Sequence, residues 1–486
     1  MKMTYIPDSQ AVFDIFARLN RVPRASHHEE RVADFLCEFA RSHGLDYDRD
    51  AQNCVVIRKP ASPGCEQAEP IAILNHMDMV CVAEPGRAFD PLTDPIEAYV
   101  DDGWMHARGT SLGADNGIGL SMALAILADD NIVHPALEVI TTTNEEDGMS
   151  GASNLSADFI RARKVVNLDS EDYDTITTGA AGAYLQVHSL PITRLNAPKS
   201  HKWYRIAIEG GRGGHSGVDI DRGRASATVL LWALLNAIAG ETIVNVGSIS
   251  VGDASASIAS RGEALVCVPP EDAVDQVEQR EAHFNEWISQ QYGATDPGVR
   301  CVITPIEPQP QVIDPQRVAD LMDALEQTPQ GVIRMSDDLP GTVETSNNVG
   351  LIRTEADRIT VSTHTRSFSD QVMTDTGTAI RDIFAEVGAT TRVVMSAPAW
   401  QEDQQSDFLR LTSDTFADVL GWRPRMVAMH FVLEAGFFAM KYPGIQMASI
   451  GPRIVEPHST AERVEMKTVD DIWRVAVTLI GRLAGK

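Results

Sequence analysis

The sequence has few of the residues that mark a secreted or a nucleic-acid-binding protein. Cysteine is scarce: six in 486 residues (Cys37, Cys54, Cys65, Cys81, Cys267, Cys301), scattered and without a CxxC pair. This spacing excludes a disulfide framework or a cysteine-ligated zinc module and points to reduced thiols in a cytoplasmic protein. Positive charge is in deficit, with 41 Lys and Arg against 68 Asp and Glu and a net charge of −27. Such a balance argues against nucleic acid and anionic membranes as partners. No apolar run is long enough to span a bilayer. The opening Met1-Lys2-Met3-Thr4-Tyr5-Ile6-Pro7 lacks the apolar core of a signal peptide. Internal repeats and low-complexity segments are absent.

What is present is ordinary globular composition, 43% hydrophobic and 22% charged, in a chain long enough for two or three domains. Apolar spacing predicts helices at Ala11–Leu19 and after Ser26-His27-His28-Glu29, which has the form of a capping box. His27 and His28 are expected in an exposed first turn. Strands follow at Cys54–Arg58, Ile71–Leu74, Ala136–Ile140 and Lys164–Leu168, with a helix at Ile118–Leu127. Strands alternating with helices predict an α/β sheet of mixed, largely parallel character. In such sheets functional residues gather beyond the carboxyl ends of the strands. His76, Glu145, Glu146 and Asp169 all fall there.

The pattern changes near residue 186. Tyr204–Glu209 has the alternation of a half-buried strand, followed by a glycine-rich turn, Gly210–Gly217, and an apolar helix, Ala225–Ala239. Further strands (Ala264–Val268, Ile359–Thr363) and amphipathic helices (Val274–Ile288, Val318–Leu325) continue to about 395. The α/β pattern then resumes with a helix at Phe408–Leu420, an apolar stretch at Gln446–Ile450 and a helix at Asp471–Leu483. This order predicts a first domain, 1–186 with 396–486, interrupted by an inserted α+β domain, 187–395.

The chemistry gathers on His76, Asp115, Glu146, Asp169 and His458. Two histidines and three carboxylates suit a pair of borderline divalent cations, with one carboxylate shared. His76-Met77-Asp78 places a carboxylate where it can hold the imidazole's tautomer. Glu145 and Glu146 adjoin at a strand end, where neighbours on an extended chain point in opposite directions. One can bind metal while the other moves protons. Spacing alone does not say which.

Taken together, Asn75-His76-Met77-Asp78-Met79, Gly113-Ala114-Asp115-Asn116-Gly117, Glu145-Glu146, Asp169-Ser170-Glu171, Gly213-Gly214-His215-Ser216-Gly217 and Pro457-His458-Ser459 resemble the two-zinc metallopeptidases that include carnosinases and aminoacylases. The resemblance is greatest to their bacterial aminoacyl-histidine dipeptidase branch and runs over nearly the whole chain. It implies a di-zinc exopeptidase-type catalytic domain with the inserted domain as a lid. By resemblance His76, Asp115, Glu146, Asp169 and His458 are metal ligands, with Asp115 bridging. Asp78 orients His76 and Glu145 is the general base. His215 helps stabilise the oxyanion, Arg366 takes the substrate's terminal carboxylate, and Glu434 lies close to the substrate. Two divalent ions are implied, zinc first, with cobalt or manganese able to fit. A small peptide is the expected substrate and a homodimer the expected assembly. The expected reaction is hydrolysis of Xaa-His dipeptides. The alternatives are a non-specific dipeptidase, an N-acyl amino acid deacylase, or a non-catalytic binding protein on the same fold. Two stretches depart from the family pattern, Phe431-Val432, where the family has two small residues, and Ala256–Ala259, and both bear on the substrate pocket.

Overall fold

A computed structural model describes residues 8–273 and 277–485. The chain divides into two compact units. One runs to Gly179 and takes in Trp400–Ala428 and Leu433–Lys486; the other is Ala180–Ala399 with Met429–Val432.

The first unit is built on a sheet of nine strands. Ile71–His76 runs parallel to Leu137–Thr142 on one side and to Lys164–Asn167 on the other, and Gln446–Ser449 adds parallel to Lys164–Asn167. Val55–Lys59 and Asp46–Arg49 extend one edge antiparallel, and Thr175–Ala180 joins Gln446–Ser449 antiparallel. The sheet is therefore mixed, with its parallel part confined to the four central strands. Ile71–His76 and Leu137–Thr142 are buried at every position, as strands covered on both faces must be. Helix Ala114–Ala128 is apolar all round and packs against strand Ile71–His76 and helix Gln10–Leu19. Ile71, Ile73, Ile118, Leu120 and Trp473 meet in one core, each side chain contributing about 1.5–3 kcal/mol by burial.

Two local readings change. Ser26-His27-His28-Glu29 does not cap helix Glu30–Ser42, whose N-cap position supplies no side-chain acceptor to the first-turn N–H groups. The Ser26 hydroxyl is drawn instead to Asp78, 2.7 Å away, because a buried carboxylate is the stronger acceptor. Glu145 and Glu146 are not on extended chain either. Asn144 has φ +55° and begins a turn, so the divergence of the two side chains comes from the turn, not from strand alternation.

The second unit carries an antiparallel sheet. Its order is Arg300–Ile306, Lys202–Glu209, Gly262–Val268, Asn245–Val251, Val343–Thr354, Arg358–Ser367, Gly182–Pro191 and Thr390–Ala397, with Gly331–Met335 on the flank of Val343–Thr354. Helices Ala227–Ala239, Pro315–Gln327 and Asp370–Glu386 cover it, and Ile206, Leu234, Leu321, Val361 and Phe384 form its core. Strand Lys202–Glu209 is not half-buried as its alternation suggests. Trp203 and Ala207 are buried too, and Trp203 packs with Cys267 and Val312 on the face away from that core. The helix expected over Val274–Ile288 is seen as Arg280–Tyr292; residues 274–276 lie outside the described residues.

Candidate active site

The first unit gathers its chemistry where the parallel strands end. His76 closes strand Ile71–His76, Glu145 and Glu146 follow strand Leu137–Thr142, and Asp169 follows strand Lys164–Asn167. Asp115 enters from the kinked start of helix Ala114–Ala128, where it has non-helical ψ and a cis bond to Asn116. It does not serve as an N-cap. His458, at φ +58°, enters from the loop between strands Ile454–Val455 and Arg463–Glu465.

These five residues form two triads that share Asp115. Nε2 of His76 lies 3.2 Å from Oδ1 of Asp115 and 3.3 Å from Oδ1 of Asp169. Nε2 of His458 lies 3.2 Å from Oδ2 of Asp115 and 2.9 Å from Oε2 of Glu146. In each triad all donor atoms fall within 4.8 Å of one another. Asp115 thus turns one oxygen to each histidine. Glu146 belongs to a triad and Glu145 does not.

The carboxylates are too crowded to be content as anions alone. Burial, with Asp115 and Glu146 nearby, pushes Asp169 up to about 6. Burial and Asp115 push Glu171 up to about 8. Burial and Asp169 do the same for Glu434, also to about 8. Glu145 is raised well above the usual carboxylate range by burial, with Asp169, Glu434 and Glu146 adding to it. The histidines respond in kind. Hydrogen bonds to Asp115 and Glu146 lift His458 to about 11. Burial opposes charge on His76, but Asp169, Asp115 and Asp78 outweigh it and raise its pKa. Oε1 of Glu146 is buried without a hydrogen-bond partner, and Oδ1 of Asp169 has none beyond its ion-pair approach to His76. Buried anionic oxygens without donors lack compensation. Beside two imidazoles they are a donor set that fits divalent cations.

Asp78 does more than its spacing suggests. Its Oδ1 is 3.4 Å from Nδ1 of His76, an ion-pair separation. The same carboxylate accepts the backbone N–H groups of Glu145 (3.1 Å) and Glu146 (3.2 Å) and the Ser26 hydroxyl. Glu29, buried, accepts the N–H of Asn144 at 2.9 Å. One carboxylate therefore ties the turn that carries the glutamate pair to the first histidine. Glu434 accepts the Thr142 hydroxyl at 2.7 Å through Oε2, and its Oε1 is left without a partner. Ser26 and Glu29 are absent from the expected set; the only sequence signal at either is the misleading capping pattern.

The second unit holds His215 and Arg366. His215 lies on the two-residue strand Gly214–His215, paired with Ser257–Ile258, so the departure at Ala256–Ala259 braces this histidine. Its Nδ1 accepts the N–H groups of Gly217 (3.2 Å) and Val218 (3.1 Å). A neutral ring then carries its hydrogen on Nε2. Burial and Arg366 lower its pKa to about 4, which keeps it neutral near pH 7. Arg366 is buried at 3% exposure, and burial lowers its pKa to about 10. Its polar contact is Ser216 Oγ, at 3.5 Å from both Nε and Nη2. No acidic side chain among the described residues pairs with it, so the surface ion pair that is its ordinary alternative does not form. His364 lies two residues earlier on the strand with both ring nitrogens unpartnered. Nε2 of His430 meets Ser346 Oγ at 2.7 Å, and the Phe431 ring stands edge-on to His215 at 6.2 Å. The departures at Phe431 and at 256–259 thus both meet His215.

A paired set of His and carboxylate donors beyond the ends of parallel strands defines a metal-dependent hydrolase site on an α/β fold. The family model for Peptidase family M20/M25/M40 matches residues 72–483, and the chain belongs to that family. It is a metallopeptidase-type hydrolase. It is 32% identical over 477 residues, 98% of each chain, to the cytosol non-specific dipeptidase of Escherichia coli (strain K12). The crystal structure of aminoacylhistidine dipeptidase from Vibrio alginolyticus superposes with a TM-score of 0.91 at 32% identity, covering 97% of this chain and 96% of that one. A tripeptidase from Staphylococcus aureus shares the fold, with a TM-score of 0.62 at 15% identity over 99% and 100% of the two chains. Among the described residues no helix is long and apolar enough to cross a membrane.

Proposed function

We propose that this chain is a dipeptidase that works with two divalent cations, zinc first and cobalt or manganese as alternatives, on unblocked dipeptides that include Xaa-His. The observation that carries the reading is Asp115, with one oxygen turned to each of two His-carboxylate triads. His76, Asp115 and Asp169 would hold one ion, and Asp115, Glu146 and His458 the other. Cations held there would polarise the scissile carbonyl and acidify a water.

The remaining roles belong to the chain's own side chains. Glu145, outside both triads, takes a proton from the attacking water and hands it to the leaving amine. Its raised pKa suits a group that must both accept and donate. Asp78 holds Glu145, Glu146 and His76 in register. His215 donates from Nε2 to the oxyanion. Arg366, buried and without a carboxylate of its own, takes the substrate's terminal carboxylate in a bidentate pair. Glu434, with one free oxygen, faces the substrate's free amine. The homodimer and the cytosolic location are part of this reading, the latter supported by the name of the Escherichia coli relative.

The relatives' names divide between non-specific and aminoacylhistidine dipeptidase. Phe431 beside His215 favours the broader reading as the second one, because it replaces a small residue of the family pattern next to the oxyanion donor. A metal-replete panel of Xaa-His dipeptides, other dipeptides and N-acetyl amino acids decides. Turnover of dipeptides alone supports the proposal. Turnover of acetylated compounds alone overturns it in favour of a deacylase, and no turnover of any with metal bound favours a binding protein.

A further inference from the structure

Two buried charged residues that none of the roles above uses lie directly behind Asp115. Glu462 is 3% exposed. Its Oε2 accepts the backbone N–H groups of Leu112 (2.7 Å) and Gly113 (2.9 Å), and its Oε1 those of Ala114 (2.8 Å) and Asp115 (3.4 Å). Four consecutive amides thus point into one carboxylate. Arg24 is 1% exposed. Its Nη2 donates to the carbonyl of Gly113 at 2.6 Å, and its Nη1 to those of Asp78 (3.1 Å) and Met77 (3.4 Å). Gly113 has φ +68°, and a Cβ there would collide with the Arg24 guanidinium and the Met79 side chain. Glycine at this position is therefore what allows the arginine its approach.

Each residue joins ligand-bearing segments that are far apart in the chain. Glu462 lies in the loop that carries His458 and grips the loop that presents Asp115. Arg24 grips that same loop and the end of the segment that carries His76 and Asp78. Asp115 must face both histidines at once, so a small rotation of residues 112–115 would favour one triad at the expense of the other.

We propose that Arg24 and Glu462 are positioning residues that lock the 112–115 loop so that Asp115 bridges both triads. They touch neither substrate nor the donor atoms. A glutamine at 462 keeps the shape and one accepting oxygen, but its NH2 can only donate, and it meets backbone N–H donors where an oxygen had accepted. Loss of an orienting partner of a metal ligand typically lowers metal affinity by about 10–100-fold.

The inference rests on the two-cation reading, and one experiment separates the two. The full chain is stripped of metal and titrated with Mn2+ alone, following bound metal per chain and the electron paramagnetic resonance spectrum, in which two ions sharing a carboxylate show exchange coupling. Glu462→Gln and Arg24→Lys are measured beside the wild type, and circular dichroism of the metal-free chains checks that each is folded. The wild type is expected to take up two coupled ions. In the variants the second ion should bind at least about tenfold more weakly, and the coupled signal should give way to an isolated one. A coupled pair retained at wild-type affinity in folded variants overturns the clamp and leaves the two-cation reading intact. A wild type that never shows a coupled pair overturns that reading, and the clamp with it. If one variant does not fold, the other decides by the same two outcomes.

Discussion

Replacing Glu145 with Gln separates proton transfer from everything else the site does. The amide is nearly isosteric, and the Glu145 backbone N–H that Asp78 holds at 3.1 Å is untouched. Glu145 belongs to neither triad, so metal content should stay at the wild-type value. What is lost is a general base and acid, worth about 10²–10⁴ in rate, or about 2.7–5.5 kcal/mol of barrier. The fall should appear in kcat, with KM within a few-fold. A second consequence has the opposite sign. The Glu145 pKa is raised by burial and by Asp169, Glu434 and Glu146. A carboxyl raised in the fold stabilises below its unfolded pKa, and that contribution is lost as pH rises through the folded value. At pH 8 it strains the metal-free chain, and the neutral amide relieves the strain. Metal-free Glu145→Gln should therefore melt no lower than metal-free wild type at pH 8 while being nearly inactive when loaded. Steady-state kinetics on a dipeptide, metal analysis and calorimetry on one preparation read all three quantities. Turnover within tenfold of wild type, or a matching loss of metal, would refute the assignment.

Other expectations follow from the same geometry. Metal should raise the melting temperature more at pH 8 than at pH 6, because His76, raised by its carboxylates, and His458, near 11, must give up protons to ligate cations; a stabilisation that does not vary with pH over this range sinks the idea. Arg366→Ala should raise KM for free dipeptides by about 10²-fold, as expected for a lost bidentate pair of about 3 kcal/mol, and leave C-terminal amides unaffected; equal effects on acids and amides would count against it. His215→Ala should lower kcat by about 10²–10³-fold with little change in KM. Because its pKa is near 4, wild-type activity should show no loss from this group between pH 6 and 8; a protonation limb there that vanishes in the variant would contradict the neutral-donor role. Asp78→Asn should lower metal affinity and kcat/KM by about 10–100-fold each, measured by dialysis against a chelator and by kinetics; an unchanged affinity would leave Asp78 as packing alone.

The fold was legible where periodicity is strong. Helices Asp407–Leu420 and Pro315–Gln327 each present one apolar face, and strand Ile71–His76 opens with an apolar run from Ile71 to Leu74. It was less legible where burial has two sources. Lys202–Glu209 alternates as if one face were wet, yet Trp203 finds a second cluster supplied by Cys267 and Val312, more than sixty residues away in the chain. Alternation at one strand carries no information about what a distant segment lays over its other face.

At the site, the proposed donors were readable because metal chemistry restricts residue type: His76, Asp115, Asp169, Glu146 and His458 are side chains of the kinds divalent cations favour, and the structure groups them in two triads. Their supports were not, because a backbone amide can be held by any acceptor. Ser26 and Glu29 looked like a helix cap because capping and site-bracing use the same polar groups on the same N–H donors. The difference between them is competition. Asp78 accepts four contacts in a fully enclosed position, and a buried carboxylate outbids a helix terminus that water can satisfy. Glu462 illustrates the rule from the other side, since its four amide contacts leave no trace in the sequence around Leu112–Asp115 apart from the glycine that admits Arg24. At the proposed site side-chain chemistry selects the class of ion that fits, and buried charge on neighbouring segments sets where the backbone stands.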